Sequence, residues 1–246
     1  RRGQCQLVVP PNVDHAVKFQ EHAGLRAAYA EAALVLADGM PVLLAAKLLG
    51  RTLPERVPGS DLAPALFDAA AAEGGLSVYL LGAAPGVAEQ AADRIEERWP
   101  AVRVAGCYSP PLGFEHDPRQ NQEILARINA NRPDLLIVGL GAPKQELWLH
   151  AHRHLLRVPA ALGVGATIDF LAGAKARAPV WMRRAGLEWL HRLATEPGRL
   201  AKRYARDAWI FPRLVWEEWR RPTPSEPSAA PDCEVVASPE TVEVAG

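Results

Sequence analysis

The sequence predicts an α/β domain with a mostly parallel sheet and helices on both faces. Three observations carry that expectation. Six short apolar runs recur along the chain, at residues 6–10, 33–37, 76–82, 102–106, 134–140 and 160–164. Several are apolar throughout, as in SVYLLG and DLLIVGL, the pattern of strands buried on both faces. Helical patterns fill the intervals, so strand and helix alternate as in doubly wound folds.

Each run ends in residues worth inspecting, because ligands of open α/β sheets bind at the carboxyl ends of the strands. The first leads into PNVDH. There Asn12 either caps a helix over 13–30 or faces a ligand. The second ends in ADGMPV, which leaves Asp38 either as a ligand contact or as the cap of a helix over 41–49. A helix over 62–73 comes next. The third run ends in Gly82-Ala83-Ala84-Pro85-Gly86 and opens a helix over 86–99. Small residues there let backbone N–H groups and a helix dipole approach a phosphate. The spacing is not the GxGxxG dinucleotide fingerprint, which argues against a nicotinamide-dependent oxidoreductase. The fourth run precedes a helix over 119–131. The fifth ends in GLGAPKQE and opens a helix over 144–155. Lys144 and Gln145 fall in its first turn, where a lysine opposes the helix dipole unless an anion compensates. The sixth gives GVGATIDF, with Asp169 as a ligand contact or a local cap.

Composition narrows the function classes. The chain has 246 residues, 49% hydrophobic and 23% charged, with no net charge. That is a globular composition and no signature of nucleic-acid binding. Cys5, Cys107 and Cys233 are far apart and odd in number, which favours a reducing compartment over a disulfide framework. No apolar run approaches the roughly 18 residues of a spanning helix, and the first apolar stretch is too short for a signal peptide. HExxH, GxSxG, Walker and CxxC patterns are absent. His150, His152 and His154 point in different directions on a helix and read as a solvated face.

The chain divides by charge. Residues 175–221 hold twelve Lys or Arg against five Asp or Glu, and five of the seven tryptophans. We expect a core over 1–174, a basic, Trp-rich helical appendage over 175–221, and a disordered tail over 222–246, which is rich in Pro, Ser, Glu and Ala.

Taken in order, PNVDH, LADGMPV, LPERVPGSDL, VYLLGAAPG, YSPPLGFE, PDLLIVGLGAPKQE, GVGATIDFLAG, RAPVWMRRAGLEWLHRL and EPGRLAKRY resemble the bacterial WecB/TagA/CpsF glycosyltransferases, glycosyltransferase family twenty-six. The resemblance implies a Rossmann-like fold whose C-terminal appendage completes the site at a membrane. It implies transfer of a sugar from a UDP donor to a polyprenyl-diphosphate-linked saccharide, with inversion, in cell-surface polysaccharide synthesis. N-acetylmannosamine-type and glucose-type donors both occur in the family. The location implied is the bacterial cytoplasm, peripheral to the inner face of the membrane, and small members often form homo-oligomers.

By the same resemblance Asp38 matches a catalytic base and Arg56 an arginine on the leaving diphosphate. Asn12 and Gln145 match pocket residues, Asp169 a donor-site aspartate, and Arg192 and Arg199 appendage arginines. The Gly82 loop and Lys144 are added from the reading of the strand ends. Three departures stand out. Pro10 occupies a position often held by threonine, Lys202 with Arg203 beside it replaces a third appendage arginine, and the family's leading strand and helix are missing, consistent with a truncated start. No cofactor is required by this chemistry, and no acidic pair implies a metal. The competing expectation is a non-catalytic nucleotide-sugar or polyprenyl-phosphate binding protein, with Pro10 as its sign.

Overall fold

The computed structural model describes residues 4–221. The expected disordered tail and Cys233 lie outside the described residues. Six strands form one sheet: β1 (Gln6–Val9), β2 (Leu34–Val35), β3 (Leu76–Gly82), β4 (Val102–Tyr108), β5 (Leu135–Gly139) and β6 (Ala160–Gly163). Their order is β2-β1-β6-β5-β3-β4, and each neighbouring pair is parallel. The architecture is a Rossmann-like α/β fold with a helical C-terminal segment.

The apolar runs split between two cores with the period of two that a strand imposes. Val78, Leu80, Leu135, Ile137 and Leu162 enter one core, with α4 (Gly59–Ala69), α5 (Val87–Arg98) and α8 (Thr167–Leu171). Tyr79, Leu81, Leu136, Val138 and Ala161 enter the other, with α6 (Pro118–Asn131) and α7 (Lys144–His152). Gly82 has φ +119°, and a Cβ there would lie 2.5 Å from the Gly139 carbonyl oxygen. That close approach keeps the ends of β3 and β5 together and leaves no room for a side chain.

Several boundaries differ from expectation. The helix expected over 13–30 is two helices, α1 (Val13–Glu21) and α2 (Ala23–Ala30). His22 between them is extended, with φ −117° and ψ 97°. The two serve different partners: α1 lies along the C-terminal helix, α2 along α7. Helix α4 begins at Gly59, earlier than expected, because a glycine there lets it close on Val164 beyond β6. Helix α3 (Met40–Leu48) and the remaining helices fall near their expected places. Of the three histidines expected on a solvated face, His154 is exposed, but the two on α7 are not. His150 and His152 are half-buried; His152 stacks on Trp148 at 4.8 Å and His150 approaches Glu31 at 3.7 Å.

Residues 175–221 contain α9 (Val180–Arg184), α10 (Glu188–Thr195) and α11 (Pro197–Trp219). Along α11, Leu200, Arg203, Asp207 and Phe211 recur at helical spacing and turn toward the body, while Trp209, Trp216 and Trp219 are exposed. No helix among the described residues is long and apolar enough to cross a membrane.

Candidate functional site

The chain leaves β1 toward the core of α7 and leaves β6 toward the core of α8. Connections that diverge to opposite faces open a crevice between the two strand ends. A cleft of about 470 Å³ lies there. Pro10, Asn12, Asp38 and Gln145 form its floor, Arg56 one wall, and α10 and α11 its roof through Glu188, Trp189, Arg192, Arg203 and Tyr204. Five of the residues expected from the sequence therefore converge: Asn12, Asp38, Arg56, Gln145 and Arg192.

Asp38 is held by its backbone. Its N–H donates to the Pro11 carbonyl at 2.9 Å, and Val57 N–H donates to the Ala37 carbonyl at 2.8 Å, which draws the Arg56 loop alongside. Burial pushes the Asp38 carboxyl up to about 6, and Glu188 opposite adds to the rise, while Arg56, His15 and Arg192 partly offset it. A carboxylate tuned upward but still ionised at neutral pH suits proton abstraction.

Arg56 reaches Glu188 at 3.3 Å and Asp61 at 3.6 Å. Arg177 and Arg183 also pair with Asp61, at 2.6 and 3.4 Å. Three guanidinium groups, of Arg56, Arg177 and Arg183, thus lean on two carboxylates, of Asp61 and Glu188, and Arg56 is the one of the three that lines the cleft. An anionic ligand group there meets donors already ordered in place.

Asn12 caps α1, its side-chain oxygen accepting from Asp14 N–H at 3.1 Å, which leaves its amide N–H groups for the cleft. His15 lies against it, with Nδ1 3.0 Å from the Asn12 oxygen and Nε2 3.1 Å from Glu146. Glu146 also accepts from Gln145 Nε2 at 2.7 Å. The Gln145 oxygen accepts from Gly141 N–H and Gly165 N–H at 3.2 and 3.1 Å. Gln145 is therefore a clasp across the β5 and β6 loops as well as part of the lining. His15, Glu146 and Glu188 were not selected from the sequence. They lie inside the motifs PNVDH, GAPKQE and GLEWLHRL, but what joins His15 to Glu146 and Glu188 to Arg56 is contact across more than a hundred residues, which the motifs do not reveal.

The remaining expected residues lie outside the lining. Lys144 pairs with Glu115 at 2.8 Å and stands over the Phe114 ring. Asp169 approaches Lys175 at 3.7 Å. Arg199 is exposed and bound to Glu196 at 2.5 Å. The Gly82 carbonyl accepts from Ser109 Oγ at 3.1 Å. In the appendage, Lys202 is exposed, and its neighbour Arg203 lines the cleft and reaches Asp14 at 3.6 Å.

Residues 1–225 match the model of the Glycosyl transferase WecG/TagA/CpsF family. The chain belongs to this family. It is accordingly a glycosyltransferase of cell-envelope biosynthesis, in keeping with the resemblance carried by its motifs. Among similar proteins is the N-acetylglucosaminyldiphosphoundecaprenol N-acetyl-beta-D-mannosaminyltransferase of Bacillus spizizenii. It is 34% identical over 193 residues, 78% of this chain and 72% of that protein. The Bacillus subtilis protein of the same name is 33% identical over 165 residues, 67% of this chain and 62% of its own. The Staphylococcus aureus one is 30% identical over 193 residues, 78% of this chain and 72% of its own. In this WecG/TagA/CpsF member, the motifs ADGMPV, LPERVPG and GLEWLHRL supply Asp38, Arg56 and Arg192 to a single cleft.

Proposed function

We propose that this glycosyltransferase transfers an N-acetylmannosamine-type or glucose-type sugar from a UDP-linked donor to a polyprenyl-diphosphate-linked saccharide, with inversion, at the cytoplasmic face of the membrane. The observation that carries the reading is the placing of one carboxylate of raised proton affinity, Asp38, in the same cleft as the guanidinium groups of Arg56 and Arg192. The names of the relatives support the acceptor class and a β-linked N-acetylmannosaminyl product. From an α-linked nucleotide donor, a β product is an inversion.

In this mechanism Asp38 accepts the proton of the acceptor hydroxyl as its oxygen bonds to the anomeric carbon. The bond from that carbon to the diphosphate breaks on the opposite side, and UDP departs with the electron pair. Arg56 and Arg192 receive the growing negative charge, the role a fixed electrostatic environment performs best when water is excluded. Arginines rather than a metal face the diphosphate in this scheme. Asn12 offers amide N–H groups to the substrate. Gly82, Lys144, Asp169 and Arg199 are proposed for outer parts of the donor, beyond the cleft lining. Trp189 packs edge-on against Tyr204 at 6.3 Å, giving the roof an apolar surface for a sugar ring.

The test is acceptor-dependent release of UDP. UDP-N-acetylmannosamine and UDP-glucose are each offered with a short-chain lipid diphosphate bearing N-acetylglucosamine. Release with one donor is expected. Binding of donors without release in any combination would overturn the transferase reading of the cleft in favour of a binding protein.

A further inference from the structure

Helix α3 lies at the surface yet has almost no polar face. Its sequence is MPVLLAAKL, with Lys47 as the one charged residue, and only Ala45 is buried. Leu44 is 55% exposed and Leu48 70%. A helix apolar around its circumference suits a protein core or lipid rather than water.

Its placement says what covers it. Met40 and Pro41, at its first turn, line the cleft. Pro41, Leu44 and Leu48 stand at i, i+3 and i+7 and so share one face. The stripe starts at the mouth of the cleft and runs about 10 Å away from it. Met40 also packs under Gly186, where an added Cβ would lie 2.4 Å from Met40 Cγ. This joins α3 to the turn before α10, whose Trp189 and Leu190 are also exposed. Lys47, beside Leu48 on the last turn, and Arg51, just past the helix end, are both exposed and neither is paired with a carboxylate among the described residues. An apolar stripe flanked at its far end by unpaired cations matches the boundary between acyl chains and anionic headgroups.

We infer that α3 seats the protein in an anionic bilayer, with its Pro41–Leu44–Leu48 face among the acyl chains and Lys47 and Arg51 on the headgroup phosphates. The apolar chain of the lipid-linked acceptor then runs from the cleft mouth along that stripe into the membrane. A second copy of the chain seated on this face would close the mouth instead. The inference rests on the proposed acceptor for the course of the lipid chain, and on α3 alone for the membrane seat.

The experiment uses co-sedimentation of the full chain with vesicles of phosphatidylglycerol and phosphatidylethanolamine, and with phosphatidylcholine vesicles for comparison. The double substitution Leu44→Ser with Leu48→Ser is expected to weaken binding to the anionic vesicles by roughly tenfold or more, with the circular dichroism spectrum unchanged. Lys47→Gln with Arg51→Gln is expected to remove the preference for anionic over neutral vesicles. For the serine pair, turnover of a short-chain acceptor in solution stays at the wild-type rate, and turnover of a long-chain acceptor in vesicles falls with the binding. Vesicle binding by the serine pair equal to wild type overturns the inference. So does conversion of a wild-type oligomer into monomers with vesicle binding unchanged, which makes α3 an interface between copies. If wild type turns over neither acceptor while the serine pair still loses vesicle binding, the proposed acceptor is wrong and the membrane seat stands.

Discussion

Asp38 carries opposing demands, since the burial and the Glu188 carboxylate that raise its proton affinity also make its ionised form costly to the fold. Its value rises from 3.8 in an ordinary environment to about 6. The folded state therefore holds the proton more tightly than the unfolded one. The stability contributed by neutral Asp38 is complete below the ordinary value and is lost as pH rises through about 6. Two outcomes are expected. The rate kcat/KM should climb with pH through about 6, as the base loses its proton. Asp38→Asn should bind donor almost as wild type, lose roughly a hundredfold or more in turnover, and melt no lower than wild type near neutral pH. Wild-type turnover in the Asn variant excludes the base assignment. Gln145 behaves in the opposite sense. Its oxygen satisfies two backbone N–H groups, of Gly141 and Gly165. Gln145→Ala leaves both without that partner and should cost about 1–3 kcal/mol for each that stays dry, read as a lower denaturant midpoint. An unchanged midpoint would show that water replaces the amide.

At the level of elements, the Arg56 loop carries a group proposed for catalysis on a structural seam. Arg56→Ala leaves Asp61 with Arg177 and Arg183, and Glu188 within 3.9 Å of Arg177. The seam between α4 and α10 therefore persists, and turnover should fall by far more than stability. A variant that circular dichroism shows to be unfolded would make Arg56 structural. Such elements were unequally legible in the sequence. β3 and β5 declared themselves because burial on both faces leaves an unbroken apolar run. β2 is only two residues long and half exposed at the sheet's edge, so its longer apolar run overstated it. The break at His22 was hidden because α1 and α2 answer to different neighbours, which no local pattern encodes. The same reason governs the site. Asn12, Asp38 and Gln145 follow strands and could be found from position. Glu188 reaches the site from the opposite wall and His15 through hydrogen bonds to Asn12 and Glu146, and Arg203 is distinguished from Lys202 only by which side of α11 faces the cleft.

For the whole molecule, charge is divided between the sheet-bearing body and the basic helices that cover its cleft. Arg203 meets Asp14, Arg206 approaches Glu21 at 3.7 Å, and Lys175 lies between Asp169 and Glu196. Among the described residues the two hydrophobic cores, by contrast, contain none beyond Ala172, and Leu200 is the one apolar side chain of α11 that is fully buried. The seam between body and roof is thus largely polar, while the sheet's packing is complete without the roof. Ending the chain after Arg184 removes α10 and α11, and with them Glu188, Trp189, Arg192, Arg203 and Tyr204 from the cleft. The floor residues Asn12, Asp38 and Gln145, and Arg56 in the wall, remain. The shortened chain should keep its α/β circular dichroism signature and unfold cooperatively, at a lower temperature because α1 loses its cover. Its turnover with a lipid-linked acceptor should fall by roughly a hundredfold or more, since Arg192, one of the two arginines proposed for the diphosphate, and the exclusion of water both go with the roof. Binding of UDP should weaken less than turnover, because the floor is intact. Turnover at the wild-type rate would rule out a role for the roof in the reaction. A chain without cooperative unfolding would show that the body depends on these helices for its fold, contrary to the composition of its two cores.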